Sequence, residues 1–427
     1  MTETKGERLK PRKSAMREFE VEIDKIVYGG FGLARYRGKV IFVPFAAPGD
    51  RLLVRPVEQK KHFIRAETVA LLSPGKGRAA PRCPHFGRCG GCQWQHLDYP
   101  TQVELKRQIL EEIFHHRLPE TKRLPIRMKA CAQPYEYRSR TRLQVRRLKA
   151  GFRLGFYRRQ SHHVEDVKNC PLLRPTLNEA LTSIREAVAQ DRWNLGAKEL
   201  ALACSEDPEC WRAVRAGLDL DDGFSDPEAI NHNGGQGILH RRVGQFTFLV
   251  SPSVFFQVND FLVADLVDTV IDLVEPCKRE AALDLFSGVG LFSLPLARQF
   301  HRMVAVENSP MACRLCAENA SAAGIQNLRI ANADVTAWMK AVGSVSVPAY
   351  DLMVLDPPRV GAGLDVMRRI EEWAPETIIH VSCDPQTLAR DLAMLTRRDY
   401  RIDFVMGLDF FPQTYHFETV VRLKRRQ

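Results

Sequence analysis

The feature that most constrains the fold is an alternation of strand-like and helix-like segments in the C-terminal part of the chain. From Phe255 onward, short apolar runs alternate with amphipathic runs. This pattern predicts a mostly parallel sheet with helices packed against it. Ligands of such sheets bind at the carboxyl ends of the strands. The residues that follow each apolar run are therefore the first functional candidates.

The first three runs end in groups that suit an adenosine-containing ligand. "AALDLFSGVG" carries Asp284 and a turn with Gly288 and Gly290, which lets a ligand approach the backbone where a helix begins. "MVAVE" ends at Glu307, whose carboxylate can accept hydrogen bonds from both ribose hydroxyls, and "RIANAD" ends at Asp334, which would face the adenine. Each acidic residue could instead cap a helix. The glycine turn alone would also fit a dehydrogenase.

The next two runs favour a methyltransferase. "YDLMVLDPPRVGAG" places Asp356 before two prolines. A dehydrogenase has no need of this loop, whereas a methyltransferase holds its target base there, beside the methyl donor. The four features in strand order predict a site for S-adenosylmethionine. "ETIIHVSCDPQTL" then places Cys383 at a strand end, as either a buried small side chain or a nucleophile.

A cysteine cluster lies well before these runs, in "PRCPHFGRCGGCQWQHL". Three thiols so close together are suited to zinc or to an iron–sulfur cluster, and the spacing alone leaves both open. A four-ligand site needs one more cysteine, and the best candidate is the one in "KNCPLL", followed by proline. The predicted ligands are Cys83, Cys89, Cys92 and Cys170, with Cys204 and Cys210 as rivals for the fourth position.

The charge of the chain favours a nucleic-acid partner. The formal net charge is +11, and residues 138–159 carry eight arginines and one lysine without an acidic residue. Phe152, Phe156 and Tyr157 are interleaved with them. A run of charge is often only a solvated strand face, but charge of one sign with aromatic side chains suits phosphate contacts and base stacking.

The N-terminal part predicts a small β-barrel and then a helix. "FEVEIDKIV" alternates apolar and acidic residues, and further short strands follow until about Leu72. In "YPTQVELKRQILEEIFHH", a helical face combines apolar residues with Lys106. No apolar run approaches the length that spans a bilayer, and the charged start lacks a secretory signal, so we expect a cytoplasmic protein.

The chain resembles the RNA uracil-5 methyltransferase family over nearly its whole length. The matching motifs are "SPSVFFQVN", "LDLFSGVGLFSLPLA", "LDPPRVGAG", "VSCDPQTLARDL" and "DFFPQTYHFETV". The resemblance implies that Cys383 is the nucleophile and Glu418 the base. It also implies that S-adenosylmethionine is bound by Gln257, Phe286, Glu307, Asp334 and Asp356. Leu291 lies at a cofactor-binding position where many members carry asparagine, so any contact from that side chain is lost or made otherwise.

The resemblance also implies a domain organisation. Residues 13–72 resemble an RNA-binding TRAM β-barrel, and the four cysteines resemble a 4Fe–4S site, with zinc as the less favoured alternative. The central α+β domain, residues 73–96 and 128–254, would carry that cluster and the basic surface. A Rossmann-like α/β methyltransferase domain would comprise 97–127 and 255–427. The combination of TRAM domain and cluster is most similar to the 23S rRNA branch, rather than the tRNA branch.

The expected chemistry requires a cysteine because C5 of uracil is a poor nucleophile. A thiolate that adds to C6 makes C5 electron-rich enough to take a methyl group, and a base then removes the C5 proton. A free thiol has a pKa of about 8.5, so we expect the site to favour the thiolate, with Arg359 as a candidate cation. His416 and Asp409 are possible supports for Glu418.

Two other classes remain as alternatives. One is a non-catalytic RNA-binding protein or chaperone that has kept the fold, against which intact Cys383 and Glu418 argue. The other is a methyltransferase for an exocyclic nitrogen of a base or for a protein amide, which would have tyrosine after the prolines where this chain has Arg359. Within the family that the chain resembles, a tRNA uracil-5 methyltransferase is the alternative to the 23S rRNA enzyme. We expect a monomer that acts on RNA, has no obligate protein partner and does not bind membranes.

Overall fold

The structure is a computed structural model that describes residues 17–149, 151–190, 198–205, 210–215, 230–231, 237–274, 278–343 and 349–426. Contacts within the chain divide it into two compact units, one ending at Arg78 and the other beginning at Ala79. Each unit has its own sheet or sheets.

The first unit contains one six-stranded sheet. Its strands are β1 (Phe19–Glu22), β2 (Lys25–Val27), β3 (Phe31–Tyr36), β4 (Lys39–Pro44), β5 (Arg51–Gln59) and β6 (Phe63–Ser73), in the order β1-β5-β6-β4-β3-β2. Only β4 and β6 pair in parallel among these described strands. Alternate residues such as Ile41 and Val43 are fully buried, as the sequence alternation predicts. The series of short strands up to about Leu72 is therefore confirmed.

The second unit begins with a long helix, α1 (Tyr99–Arg117). Asp98 caps it, since its side chain accepts a hydrogen bond from the backbone N–H of Thr101, and Pro100 lies in the first turn. A short 3-10 helix (Pro119–Arg123) and strand β7 (Arg127–Lys129) follow. The face of α1 that packs inward is apolar except for two fully buried polar side chains, Gln102 and Lys106.

The central part of this unit is an antiparallel sheet backed by a helix. Its elements are β8 (Arg140–Arg147), β9 (Phe152–Tyr157), β10 (Val164–Asp166), α2 (Pro175–Ala189), β11 (Glu199–Cys204), β12 (Trp211–Arg215) and β13 (Ile230–Asn231), with strand order β10-β9-β8-β11-β12-β13. A hairpin of β14 (Leu239–Val243) and β15 (Phe246–Val250) follows. Leu177, Leu181 and Ile184 of α2 pack on this sheet in one apolar cluster.

The C-terminal part folds into an eight-stranded sheet flanked by helices. Its elements are α3 (Val263–Asp272), β16 (Ala281–Leu285), α4 (Ser293–Ala297), β17 (Arg302–Glu307), α5 (Pro310–Ala322), β18 (Leu328–Asn332), α6 (Val335–Gly343), β19 (Leu352–Leu355), α7 (Leu364–Trp373), β20 (Thr377–Ser382), α8 (Pro385–Thr396), β21 (Tyr400–Leu408) and β22 (Glu418–Arg425). The strand order is β18-β17-β16-β19-β20-β22-β21-β7, and β22 alone among these described strands runs opposite to the rest.

The predicted parallel sheet is therefore confirmed, and it sets the place of the site. Every residue of β16, β19 and β20 is buried, as expected where helices cover both faces. The carboxyl ends of these neighbouring strands meet at one edge, and the acidic residues and Cys383 follow them there. Within the described ranges, no helix combines the length and the hydropathy required to traverse a bilayer.

Candidate active site

The loop after β16 is a tight glycine turn. Gly288 and Gly290 adopt φ angles of +55° and +92°, in the region that favours glycine. A Cβ atom on Gly290 would lie 2.4 Å from Leu294 Cδ1 and 2.8 Å from Cys316 Sγ. The turn therefore packs closely on the residues behind it, and its backbone faces the strand ends.

Glu307 is held against this turn from the neighbouring strand. Its Oε2 accepts a hydrogen bond from the Gly288 N–H at 3.0 Å, and its Oε1 accepts one from the Ser309 N–H at 2.8 Å. A carboxylate oxygen has further lone pairs. The Glu307 carboxylate thus has a fixed orientation and can still accept hydrogen bonds from a ligand.

Asp284 lies beneath the turn and is fully buried. The Ser293 hydroxyl donates to its Oδ2 at 2.5 Å, and within the described residues its Oδ1 has no hydrogen-bond partner. Burial raises the pKa of Asp284 to about 7, and the negative charges of Asp356 and Glu307 act in the same direction. Acidic groups are therefore concentrated at this edge of the sheet, where they would attract a cationic ligand.

A cleft opens above the turn and brings together four of the six predicted cofactor-binding residues. Gln257, Phe286, Leu291 and Asp356 line it, together with Phe255, Phe256, Ser287, Gly288, Val289 and Phe292. Burial raises the pKa of Asp356. The glycine cradle, the aromatic walls and the acidic groups fit the adenosine and the sulfonium of S-adenosylmethionine.

Asp334 makes a different contact in this structure. It is exposed, and its Oδ1 accepts a hydrogen bond from the Ala337 N–H at 2.9 Å, which caps the start of α6. It does not line the cleft formed by the described residues. Its predicted contact with the adenine stays a prediction.

The segment that leads into the part of the cleft wall formed by residues 255–257 is fastened by an arginine that the sequence analysis assigned to the basic surface. Arg140 of β8 donates hydrogen bonds to the carbonyl oxygens of Pro252, at 3.0 Å, and of Val254 and Phe256. Arg140 thus supports the cleft, and it is not one of the residues available to bind phosphate.

Cys383 begins the turn between β20 and α8 and is half-buried. The side chain of Asp384 caps α8, since its Oδ1 accepts hydrogen bonds from the N–H groups of Gln386 at 2.9 Å and Thr387 at 3.0 Å. The Ser382 hydroxyl accepts a third from the Asp384 N–H at 3.2 Å. These bonds fix the backbone around the thiol.

The surroundings of Cys383 in the free site work against the expected thiolate. Burial is the main cause that raises the pKa of Cys383 to about 12; the charges of Glu418 and Asp356 act in the same direction, and Arg359 acts against them. Arg359 therefore acts in the expected direction but does not outweigh burial, which the motif could not reveal. The thiol is protonated at neutral pH unless a bound cation shifts this balance.

Glu418 is the first residue of β22 and is almost completely buried. Burial raises its pKa, the negative charge of Asp356 raises it further, and Arg359 lowers it. Its Oε2 has no hydrogen-bond partner within the part of the chain that the structure describes. Cys383, Glu418, Asp356 and Arg359 therefore form one electrostatically connected group that joins the cleft.

The segment before Glu418 contains Asp409 and His416, the possible supports named from the sequence, and Asp409 forms a buried ion pair with Lys106 that the sequence analysis did not predict. Lys106 Nζ donates to Asp409 Oδ1 at 2.5 Å, and both side chains are fully buried. His416 is neutral at any physiological pH, because burial lowers its pKa to about 3. The one available signal was the lysine within the apolar face of α1.

The four predicted cluster cysteines line one cavity in the central part of the unit. The Gly91 N–H and the Gln95 side-chain amide donate to the sulfur atoms of Cys89 and Cys92, at 3.4 and 3.3 Å. Within the described ranges, no three His, Cys, Asp or Glu side chains are gathered as the ligands of one metal ion. The rival Cys210 lines a separate cavity with Arg212 and His240, and Cys204 is buried on β11.

A basic groove adjoins the cysteine loop. Its lining includes Arg142, Arg158, Arg159 and the exposed aromatic ring of Tyr157, with Gly90 of the cysteine loop at one side. The Gly90 N–H donates to the Tyr157 carbonyl at 2.9 Å, which joins the two segments. Part of the predicted basic surface is thus a groove with an aromatic floor, suited to a single nucleic-acid strand.

Together, the eight-stranded sheet and the acidic cleft define a Rossmann-like methyltransferase fold. Two family models match the chain. Residues 241–426 match the model for tRNA (uracil-5-)-methyltransferase, and residues 19–75 match the TRAM domain of tRNA (uracil(54)-C(5))-methyltransferase.

Relatives that align with almost the whole chain belong to the same family as these models. The chain is 34% identical to the 23S rRNA (uracil(1939)-C(5))-methyltransferase RlmD of Alkalilimnicola ehrlichii, with 97% of this chain and 98% of the relative covered. It is 33% identical to RlmD of Klebsiella pneumoniae, with 93% of each covered. The structure of Pyrococcus abyssi tRNA (uracil-54, C5)-methyltransferase in complex with S-adenosyl-L-homocysteine aligns with a TM-score of 0.71 at 27% identity, over 95% of this chain and 99% of that one. The chain belongs to the RNA uracil-5 methyltransferase family.

Proposed function

We propose that this enzyme transfers a methyl group from S-adenosylmethionine to C5 of a uridine in 23S rRNA. The observation that carries the proposal is the connected group of Cys383 and Glu418 beside the cleft that Asp356 lines. Relatives that align with more than 90% of this chain are named as 23S rRNA (uracil(1939)-C(5))-methyltransferases. S-adenosylmethionine supplies an electrophilic methyl group when bound.

The residues of the chain take the remaining roles. The Cys383 thiol loses its proton to solvent, and the resulting thiolate forms a bond to C6 while the electrons of the C5–C6 double bond move onto C5 and the O4 carbonyl. C5 then takes the methyl group from the sulfonium, and the electrons of the broken S–CH3 bond stay on the sulfur of S-adenosylhomocysteine, which leaves. Glu418 removes the C5 proton, the C5–C6 double bond re-forms, and the sulfur leaves as thiolate. This sequence needs a nucleophile and a base at neighbouring carbon atoms, and the electrostatic interaction between Cys383 and Glu418 supports assigning them these roles.

A 5-fluorouridine-substituted RNA tests this assignment. Fluorine at C5 prevents proton removal, so the enzyme should stall as a covalent adduct, and peptide mapping should place the link at Cys383. Cys383→Ala should form no adduct and have no turnover. An adduct at another residue, or full activity of Cys383→Ala, would overturn the mechanism.

A tRNA substrate is the second candidate. It is favoured by the similarity to the Pyrococcus abyssi tRNA enzyme and by the two matching family models. The same experiment with substituted tRNA and a substituted 23S rRNA fragment decides between them, because only the true substrate should form the adduct rapidly. No adduct with either RNA would favour a non-catalytic RNA-binding protein.

We also propose that the four cysteines hold a 4Fe–4S cluster. The support is a cavity bordered by all four thiols, with N–H donors directed at two of the sulfur atoms, as is usual around such clusters. A single zinc ion with Zn–S bonds of about 2.3 Å would need no such space. Anaerobically purified protein should contain iron and acid-labile sulfide, and Cys170→Ser should lose them while Cys204→Ser keeps them. Zinc without sulfide would overturn the proposal.

A further inference from the structure

The segment that leads into Glu418 is held from outside its own strands. Gln413, at its centre, is buried and has a φ of +70°, a conformation that glutamine rarely adopts. Its carbonyl oxygen accepts hydrogen bonds from the N–H groups of Gln93 and Trp94, at 3.1 and 3.0 Å. A backbone in this region persists only where the surroundings determine it.

Gln102 of α1 supplies the other half of this arrangement. Its Oε1 accepts a hydrogen bond from the Gln413 N–H at 2.8 Å, and its Nε2 donates to Gln413 Oε1 at 3.0 Å. The same Nε2 donates to the carbonyl of Leu97 at 2.9 Å. One fully buried amide thus contacts both the backbone and the side chain of Gln413.

Lys106 lies one helical turn further along α1 and acts on the same segment. Besides its ion pair with Asp409, its Nζ donates to the carbonyl of Phe411 at 3.1 Å. Gln102 and Lys106 are four residues apart and therefore share a helix face. The start and the middle of segment 409–417 are both attached to this face.

We propose that Gln102 and Lys106 are positioning residues that set the place of Glu418 relative to the target base. The inference rests on the proposed function, because it takes Glu418 as the group that removes the C5 proton. Glu418 itself has one unpartnered buried carboxylate oxygen, so its own hydrogen bonds do not fix it fully. Its backbone is paired with Leu408 in the sheet, and segment 409–417 is the loop between these two paired residues. The attachment of this loop therefore bears on how the Glu418 side chain is presented. Proton removal should therefore be the step that fails first when the segment is released.

The test substitutes Gln102→Leu, which keeps the size of the side chain and removes its hydrogen bonds. The variant is given its uridine-containing RNA substrate and methyl-labelled S-adenosylmethionine. We expect release of methylated RNA to fall roughly 10- to 100-fold, since a misplaced group costs about that much. The methylated covalent RNA adduct should accumulate, while affinity for S-adenosyl-L-homocysteine stays unchanged. Gln108→Leu, on the exposed face of α1, is the matched control and should behave as wild type.

Two results would overturn the proposal. One is unchanged product release in Gln102→Leu. The other is that release of methylated RNA falls only in proportion to the fraction of unfolded enzyme and no adduct accumulates. That result would show that Gln102 has a purely structural role. Glu418→Gln is measured alongside: if it accumulates adduct and Gln102→Leu does not, only the positioning role fails. If Glu418→Gln accumulates none, the assignment of the base fails as well.

A double variant, Lys106→Met with Asp409→Asn, keeps the test decisive if Gln102→Leu does not fold. Removing both partners of a buried ion pair is tolerated better than removing one, because no unpaired charge is left. The same accumulation of methylated adduct is expected. If the double variant folds and releases product at the wild-type rate, the role of Lys106 is overturned. If Gln102→Leu also fails to fold, this result overturns the whole proposal.

Discussion

Ser382, the last residue of β20, is the cross-strand partner of Thr419 in β22. The next residues along these antiparallel strands are Cys383 and Glu418, so the two side chains lie next to each other at the strand ends. C5 and C6 of uracil are bonded to each other, and the nucleophile and the base must therefore act only a few ångströms apart. The strand register provides this spacing, although the two residues lie far apart in the sequence.

The first prediction concerns the reactivity of the Cys383 thiol. At alkaline pH, where Glu418 is ionised, Glu418→Gln removes a negative charge that raises the pKa of Cys383, so more thiolate should be present and alkylation by iodoacetamide should be faster. Arg359→Ala removes a charge that lowers this pKa, so alkylation should be slower. Mass spectrometry of the Cys383 peptide measures both rates, and Cys383→Ser provides the background. Rates that change in the same direction would contradict the assigned electrostatics.

The second prediction concerns the pH dependence of turnover. Both proposed groups must lose a proton to act, and burial raises the pKa of Cys383 and of Glu418. The active, deprotonated forms therefore become more populated as pH rises, and kcat/KM should increase from neutral to alkaline pH. Arg359→Ala should move the profile to still higher pH, because it removes the charge that favours both deprotonated forms. A profile that falls above neutral pH would contradict this sign.

The third prediction concerns the glycine turn. Gly290→Ala places a Cβ atom within 2.4 Å of Leu294 and should weaken binding of S-adenosyl-L-homocysteine at least about tenfold, because the turn must move. Gly324→Ala is the control: Gly324 also has a positive φ, of +68°, but a Cβ there meets nothing within 4 Å. Calorimetry gives both affinities. Equal affinities in the two variants would mean that the turn does not shape the cleft.

The sequence was sufficient to predict the strands, their parallel arrangement and most of the cleft, because each depends on local patterns. It could not predict the environment of Cys383, since burial there comes from elements distant in the chain. It could not separate an N-cap from a ligand contact at Asp334, because both use the same carboxylate. The Lys106–Asp409 pair joins residues 303 positions apart. Its only local sign was a lysine among apolar residues.

The fourth prediction separates two arginines of β8 that the sequence grouped together. Arg140 fastens the segment 252–256 that leads into the cleft wall. Arg142 is exposed and lines the basic groove, and its Nη1 lies 3.3 Å from Glu199 Oε1. Arg140→Met leaves several carbonyl groups without their donor, which should cost about 1–3 kcal/mol of stability. It should also weaken binding of S-adenosyl-L-homocysteine while the salt dependence of RNA binding stays as in wild type.

Arg142→Met should show the opposite pattern. A lost phosphate contact weakens RNA binding and makes the slope of log K against log salt shallower by about 0.7 to 0.9. Affinity for S-adenosyl-L-homocysteine should be unchanged, because Arg142 is not among the residues that form the cleft. Titrations of S-adenosyl-L-homocysteine and of RNA at several salt concentrations give the cofactor-product affinity and the salt slope for each of the two variants. If Arg142→Met leaves the salt slope unchanged, the groove is not the phosphate-binding surface. If Arg140→Met alters the slope, Arg140 contacts RNA and the separation of the two arginines is wrong.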